Sequence, residues 1–303
     1  MKRMRFKSNF NETSLRGETE CVFREAQDTR ILRDASDEIR ATLHEEMSDD
    51  HKHRARIFLH RGQLAQAKAA YEQALADDRL SANQGELSDS LGNLGNACAL
   101  SGDLNQAEAC YREVLTIQRT ERNQQAIAHT LVNLGNLYVG AGTPEKARPY
   151  YLEALDLLTP LNDHRALGIL YHNLGMEEAR RREWEAATDY FTQALDAHRI
   201  VGNEEGLALT YSQLGKTFLD AGDLRPAEKC FNNASEHFIK LGNAPGEAAV
   251  LRLLADVYLR ISDRVSAARC LERVLFLATH FNLPELNRDR ESLSLLRQSA
   301  PPP

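Results

Sequence analysis

Apolar side chains recur at helical spacing along most of the chain, and the pattern itself repeats. In LVNLGNLYVGAG, residues 131–142, Leu131, Leu134, Leu137 and Tyr138 fall at the three-and-four-residue step of a helix with one buried face. LGNLGNACALSG stands forty residues earlier, at 91–102, and YHNLGMEEARRR forty later, at 171–182. HKHRARIFLHRG begins at 51, YSQLGKTFLDAG at 211 and LRLLADVYLRIS at 251, so six copies follow at one constant step without an insertion. A fixed period of this length marks a repeat array, in which units stack because none buries its apolar face alone.

Residues 83–122 show what one unit contains. Asn83 and Glu86 form a capping-box pair, and apolar residues follow at Leu87, Leu91, Leu94, Ala97 and Cys98. Gly102 is placed to end that helix with a positive φ. Asp103, with Gln106 in box position, opens a second helix carrying Leu104, Ala107, Cys110, Tyr111, Val114, Leu115 and Ile117. Caps recur at Asn123, Asp163, Asn203 and Asn243, and the inter-helix glycine at Gly62, Gly142 and Gly222. Each unit is therefore a hairpin of two helices.

These residues resemble the tetratricopeptide repeat. In the second copy the matching positions are Leu91, Leu94, Gly95, Cys98, Ala107, Tyr111 and Val114; in the third they are Leu131, Leu134, Gly135, Tyr138, Ala147, Tyr151 and Ala154. Ala67, Ala107, Ala147, Ala187, Ala227 and Ala267 fill the close-contact position in all six. The forty-residue form with NLGN is most similar to the long repeats of kinesin light chains, of the spindle-orientation adaptor LGN/Pins and of many bacterial regulators. The resemblance implies an all-α fold: a right-handed α-solenoid of six helix-hairpin repeats over residues 44–283. The apolar pattern of PELNRDRESLSLLRQ, residues 284–298, adds a C-terminal capping helix using Leu286, Leu293, Leu295 and Leu296, and SAPPP leaves a loose tail over 299–303. At the other end, residues 1–18 read as a disordered tail and residues 19–47 as a helical cap or degenerate repeat.

Composition bounds the setting. The net charge of −7 exerts no global pull on nucleic acid. No apolar run is long enough to span a membrane, and MKRMRFKSNF lacks the apolar core of a secretory signal, so the chain reads as cytoplasmic. Among the five cysteines, Cys110, Cys230 and Cys270 share one repeat position, where cysteine serves as a small hydrophobe rather than a disulfide partner. No CxxC pair occurs. His51, His53 and His60 lack the further ligand that a metal site needs. No phosphate loop, nucleophile elbow or HExxH motif is present, so no enzyme activity, cofactor or metal is expected.

The polar positions between the core residues carry the functional reading. In tetratricopeptide arrays the first helix of each hairpin lines the concave surface. By that resemblance Asn93 and Asn96, Asn133 and Asn136, Asn173 and Met176, and Gln213 and Lys216 face a groove. A carboxamide both donates and accepts, so a ladder of them can hold an extended backbone without reading its side chains. The competing reading is a solvated polar face with hydrogen bonds between repeats. Cations stand near the ladder: Lys52, His53 and Arg56 before it, and His172, Arg180, Arg181, Lys216, Arg252 and Arg260 after it. An amide floor with a basic rim favours an acidic peptide segment or a free C-terminal carboxylate. The carboxylate-clamp pattern matches only at Lys52 and Asn96.

Repeat four departs from its siblings. Arg182 takes the place of the turn glycine, which requires either a strained left-handed residue or another exit from the helix. Trp184 follows, at the position of Leu64, Leu104 and Leu224, and reads as core; with Arg180 and Arg181 it is alternatively an anchor site. The expectation is a non-enzymatic protein–protein interaction scaffold. The alternatives are a regulatory sensor whose solenoid responds to a signalling peptide, and an assembly module that forms homo-oligomers through its ends.

Overall fold

The computed structural model describes residues 37–81, 83–284 and 286–298. The expected tails at 1–18 and 299–303, and most of the segment 19–47, lie outside these residues. Thirteen α-helices occur among the described residues, with no strand. They are α1 (Asp37–His60), α2 (Leu64–Ser81), α3 (Gln84–Ser101), α4 (Leu104–Glu121), α5 (Gln124–Gly140), α6 (Arg148–Leu161), α7 (His164–Arg180), α8 (Trp184–Ile200), α9 (Glu204–Ala221), α10 (Leu224–Lys240), α11 (Ala244–Arg260), α12 (Arg264–His280) and α13 (Leu286–Gln298). The fold is all-α, an array of helix hairpins, as the periodicity requires. Two compact units divide the chain, one ending at Ile117 and the other beginning at Gln118, so the boundary falls within α4.

Caps set the frame of both units. Asn83 Oδ1 accepts from the N–H of Gly85 and Glu86, and Asn123, Asp163, Asn203 and Asn243 each accept from a first-turn N–H. Each satisfies a donor that the helix start would otherwise orphan. At the opposite ends of the other helices, α2 and α13 apart, one left-handed residue closes the helix. The positive-φ set is Gly62, Gly102, Arg122, Gly142, Asn162, Arg182, Gly202, Gly222, Gly242, Ser262 and Asn282. From Gly102 to Asn282 these positions step by twenty, so turns within hairpins and links between hairpins share one geometry. The next N–H then reaches back to a carbonyl five residues earlier, as from Asp103 to Cys98 (2.9 Å) and from Asp223 to Phe218 (2.8 Å). Arg182 thus takes the strained alternative, at φ 63°.

Small residues on facing helices let each hairpin close. All six alanines of the close-contact position are fully buried. Within the first unit, a Cβ on Gly95 would lie 2.8 Å from the Tyr111 ring. Within the second, a Cβ on Gly135 would run into the Tyr151 ring, and one on Gly175 or Gly215 would meet Phe191 or Phe231 at 2.8 or 2.7 Å. Cys110, Cys230 and Cys270 are buried in their shared position, and burial pushes each thiol up to about 11. Trp184 is half-buried in the first turn of α8, as are Leu64, Leu104 and Leu224 at the equivalent place. That shared position is an edge of the core, where Leu224 packs against the buried cluster, and the tryptophan has the same half-buried standing as its leucine counterparts.

Two elements depart from the regular pattern. In the third hairpin a 3-10 turn, Pro144–Lys146, precedes α6. Pro149 has no N–H to give the carbonyl of residue 145, so the α-helical ladder begins only beyond it. At the C-terminal end, Leu293 and Leu296 of α13 join the core built by α10, α11 and α12, whereas Leu295, grouped with them on sequence, is exposed.

Candidate functional site

Asparagines 93 and 96 belong to the first unit. Asn96 accepts a hydrogen bond from the Tyr111 hydroxyl at 2.6 Å, and Asn93 makes no side-chain hydrogen bond among the described residues. Position 136 repeats the arrangement in the second unit. Its Oδ1 accepts from the Tyr151 hydroxyl at 2.7 Å and also from the Asn173 amide at 2.7 Å. The tyrosines are the ring partners of Gly95 and Gly135, so the same contact that closes the hairpin aims a hydroxyl at the amide. The Asn136–Asn173 bond joins two successive hairpins, and to that extent the inter-repeat reading of the ladder holds. Asn133 and Gln213 have no side-chain hydrogen bond among the described residues.

The amides stand beside cavities. Between α5 and α7 lies one of about 580 Å³, lined by Val132, Asn133, Asn136, Arg165, Ile169 and the linked pair His129 and Asp163. Asp163 caps α7, is 3.3 Å from His129 Nε2, and accepts from Gln125; the hydrogen bonds together hold its carboxyl below the usual range against the opposing effect of burial. A second cavity, about 220 Å³, lies between α7 and α9 and shares Ile169 with the first. Its other lining residues are His172, His198, Asn203, Glu205, Gly206 and Leu209. Ile169 and Leu209 are 44% and 46% exposed, so two large apolar side chains stand in solvent at its mouth. One continuous strip of α5, α7 and α9 therefore offers amides at one end and apolar walls at the other.

The cations expected around the groove divide into committed and uncommitted groups. Arg252 makes two hydrogen bonds, at 2.9 and 2.8 Å, to the buried Asp289 of α13 and ties the last helix down. Arg260 pairs with Asp256 one turn away at 3.0 Å. Lys52, in the first unit, is buried between Asp78, at 3.3 Å, and Glu86. His172 is not a rim cation either. Its ring meets the edge of Phe191, its Nδ1 is 3.0 Å from Thr210 Oγ1, and burial together with His198 pushes it down to about 4. Arg180 and Lys216 are exposed and form no ion pair or hydrogen bond among the described residues. Arg180 lines a third cavity, of about 520 Å³, with Pro144, Glu145, Arg148, Glu177 and Arg181. There Arg148 bridges Glu177 and Glu178, and Arg181 is 3.6 Å from Glu178.

Ile169, Leu209 and His198 were not legible as site residues. They sit outside the NLGN stretch, and His198 lies on a second helix. The one sequence signal for His198 is the pair of glycines, Gly168 and Gly206, at which a Cβ would meet its ring at 2.7 and 2.5 Å.

The repeat pattern finds counterparts among known proteins. Residues 50–120, 126–200 and 206–279 match the family model described as tetratricopeptide repeat. Similar solved structures include BtubC (BKLC) from P. vanneervenii, 20% identical, with a TM-score of 0.62 over 82% of this chain and 93% of that one. PilW, a widely conserved type IV pilus biogenesis factor, is 19% identical with a TM-score of 0.61 over 80% of this chain and 97% of its own. A signal transduction ATPase with numerous domains from Pyrococcus horikoshii, which carries a tetratricopeptide repeat sensor, is 15% identical with a TM-score of 0.72, over 85% of this chain and 40% of that protein. At these identities the likeness is one of fold. No curated protein matches in sequence. Among the described residues no helix is long and apolar enough to cross a membrane.

Proposed function

The chain belongs to the tetratricopeptide repeat family, whose members generally mediate protein–protein interactions, and from that premise we propose that it is a non-enzymatic scaffold holding an extended segment of a partner on the strip of α5, α7 and α9. The observation that carries this reading is the pair of cavities that share Ile169, with Asn133 and Asn136 lining one of them. Asn133 keeps its full donor and acceptor capacity among the described residues, and Asn136 keeps its amide N–H groups. A bound backbone finds partners there without displacing a structural bond.

The uncommitted Arg180 and Lys216 favour an acidic segment, through contacts that are exposed and so weak individually and screened by salt. Arg252, His172 and Lys52, each engaged within the fold, are not part of that attraction.

The test begins with a partner recovered from the native source and a labelled peptide covering its contact segment. Asn133→Ala with Asn136→Ala should weaken the peptide about five- to thirty-fold, the loss expected for one or two hydrogen bonds after desolvation. Lys216→Glu and Arg180→Glu should weaken it less, and raising the salt should erase that difference. Unchanged affinity in the double alanine variant, with a native circular dichroism spectrum, overturns the reading.

A further inference from the structure

The cavity between α7 and α9 differs in kind from the amide end of the strip. Its walls are Ile169 and Leu209, and its floor is two neighbouring imidazoles, His172 and His198. We propose that this cavity is an anchor pocket for an uncharged apolar side chain of the bound segment, and that its histidine floor admits that side chain only while both imidazoles are neutral. The proposal rests on the groove reading and assigns this part of it a ligand class and a form of regulation.

The hydrogen-bond geometry fixes the protonation of His198. Asn203 caps α9: its Oδ1 accepts from the Gly206 N–H at 2.9 Å. With the oxygen turned to the helix, the Asn203 amide nitrogen is the group that faces His198, 3.2 Å from Nδ1. An amide N–H donates, so Nδ1 must accept and carries no proton. Charging His198 at Nδ1 sets donor against donor, and relief requires turning the amide and giving up the cap. The imidazole has little room to move away, since it is 2% exposed and seated between Gly168 and Gly206.

His172 adds a second neutral ring. It is enclosed by Phe191 and His198 of α8 and by Thr210 of α9, none of which carries a negative charge to stabilise an imidazolium. Burial lowers both histidines from their ordinary value. Glu205 is the one charged side chain among the lining residues, and it is exposed.

Ligand classes separate on this arrangement. A carboxylate entering the pocket passes Glu205 and meets no cation. An ammonium group gains Glu205 only at the mouth and loses its hydration against Ile169, Leu209 and two neutral rings. An apolar side chain loses nothing and buries the exposed walls. It also deepens the burial of both imidazoles, so protonation and binding oppose each other, and by linkage a proton weakens the ligand as much as the ligand repels the proton.

The test uses N-acetyl-leucinamide, N-acetyl-aspartic acid amide and N-acetyl-lysinamide, titrated separately into the full chain while the Ile169 and Leu209 methyl resonances are followed. At pH 7 the leucine compound should shift both methyls saturably and the other two should not. At pH 4 its dissociation constant should rise about two- to four-fold, and in a His172→Val, His198→Phe variant the ratio between the two pH values should fall to about one. Preference for the aspartate or lysine compound, a pH ratio near one in the wild type, or a ratio that survives in the variant overturns the proposal. Unmoved methyls alongside partner binding that responds to Asn133→Ala and Asn136→Ala overturn the pocket and keep the face. Partner binding indifferent to those two substitutions overturns the face itself.

Discussion

Two junctions in the second unit, forty residues apart, solve one packing problem with different chemistry. Where α8 meets α9, His198 lies over Gly206; where α10 meets α11, Phe238 lies over Gly246. Both rings are buried, at 2% and 4% exposure, and in each case a Cβ on the glycine would come within 2.5 Å of the ring. Asn203 and Asn243 cap the following helix identically. The backbone thus accepts either ring, and the choice decides whether the junction senses protons. Phe238 contributes only packing, within a core that includes Val250 and Leu254. His198 contributes packing and a constraint on its own charge.

Replacing each ring tests that difference, and the largest effect belongs to Phe238. Phe238→Ala should cost about 3–5 kcal/mol in chemical denaturation, since the cavity it leaves is walled by helices that cannot collapse freely. A loss below about 1 kcal/mol would show that the ring is not a keystone of its junction.

Acid comes next. His172 is pushed down to about 4 in the folded state, against an ordinary value of 6.5. The neutral form is therefore favoured by folding. Its contribution is complete above about pH 6.5 and is lost as the pH falls towards 4, reaching on the order of 3 kcal/mol for that ring. Carboxylates titrate in the same range, so the informative quantity is the difference between wild type and the His172→Val, His198→Phe variant across pH 7 to 4. A constant difference would deny the histidine junction any proton sensitivity.

Gly206→Ala should cost roughly 1–3 kcal/mol by overpacking His198, and much less in a His198→Ala background; a double-mutant cycle of urea unfolding reads the coupling. Additive effects would mean that the ring simply moves aside. The smallest effect is expected at Asn136→Ala. Lost bonds to Tyr151 and Asn173 are partly offset by better helix propensity, leaving a change of about 1 kcal/mol or less in thermal unfolding.

Much of the fold was legible because the repeat states it several times over. One capping residue is weak evidence for a helix start, but Asn83, Asn123, Asp163, Asn203 and Asn243 at a fixed step of forty are strong evidence, and each caps its helix. The 3-10 turn before α6 was less visible, since Pro149 acts through a hydrogen bond that it fails to make. The candidate site was half legible. Its amides follow the period and reach the cavity wall at Asn133 and Asn136. Charges do not follow it: Arg252 looks like Lys216 in sequence until Asp289, thirty-seven residues on, claims it. Periodicity foretells what every repeat shares, whereas the partner of a single charged side chain depends on a helix packed from elsewhere.

The left-handed residues at every twentieth position from Gly102 to Asn282 give the chain a modular grammar. Each marks a phase point at which one helix can be exchanged for another of equal length without changing how the backbone enters or leaves. Lengthening a helix by one residue shifts the side chains beyond it by about 100° around the helix and turns the apolar stripe out of the core. Excising the forty residues 123–162 joins Arg122 directly to Asp163, one cap to the next, with every later turn still in phase. Copy number along this chain can thus change in whole repeats far more readily than any repeat can change its length.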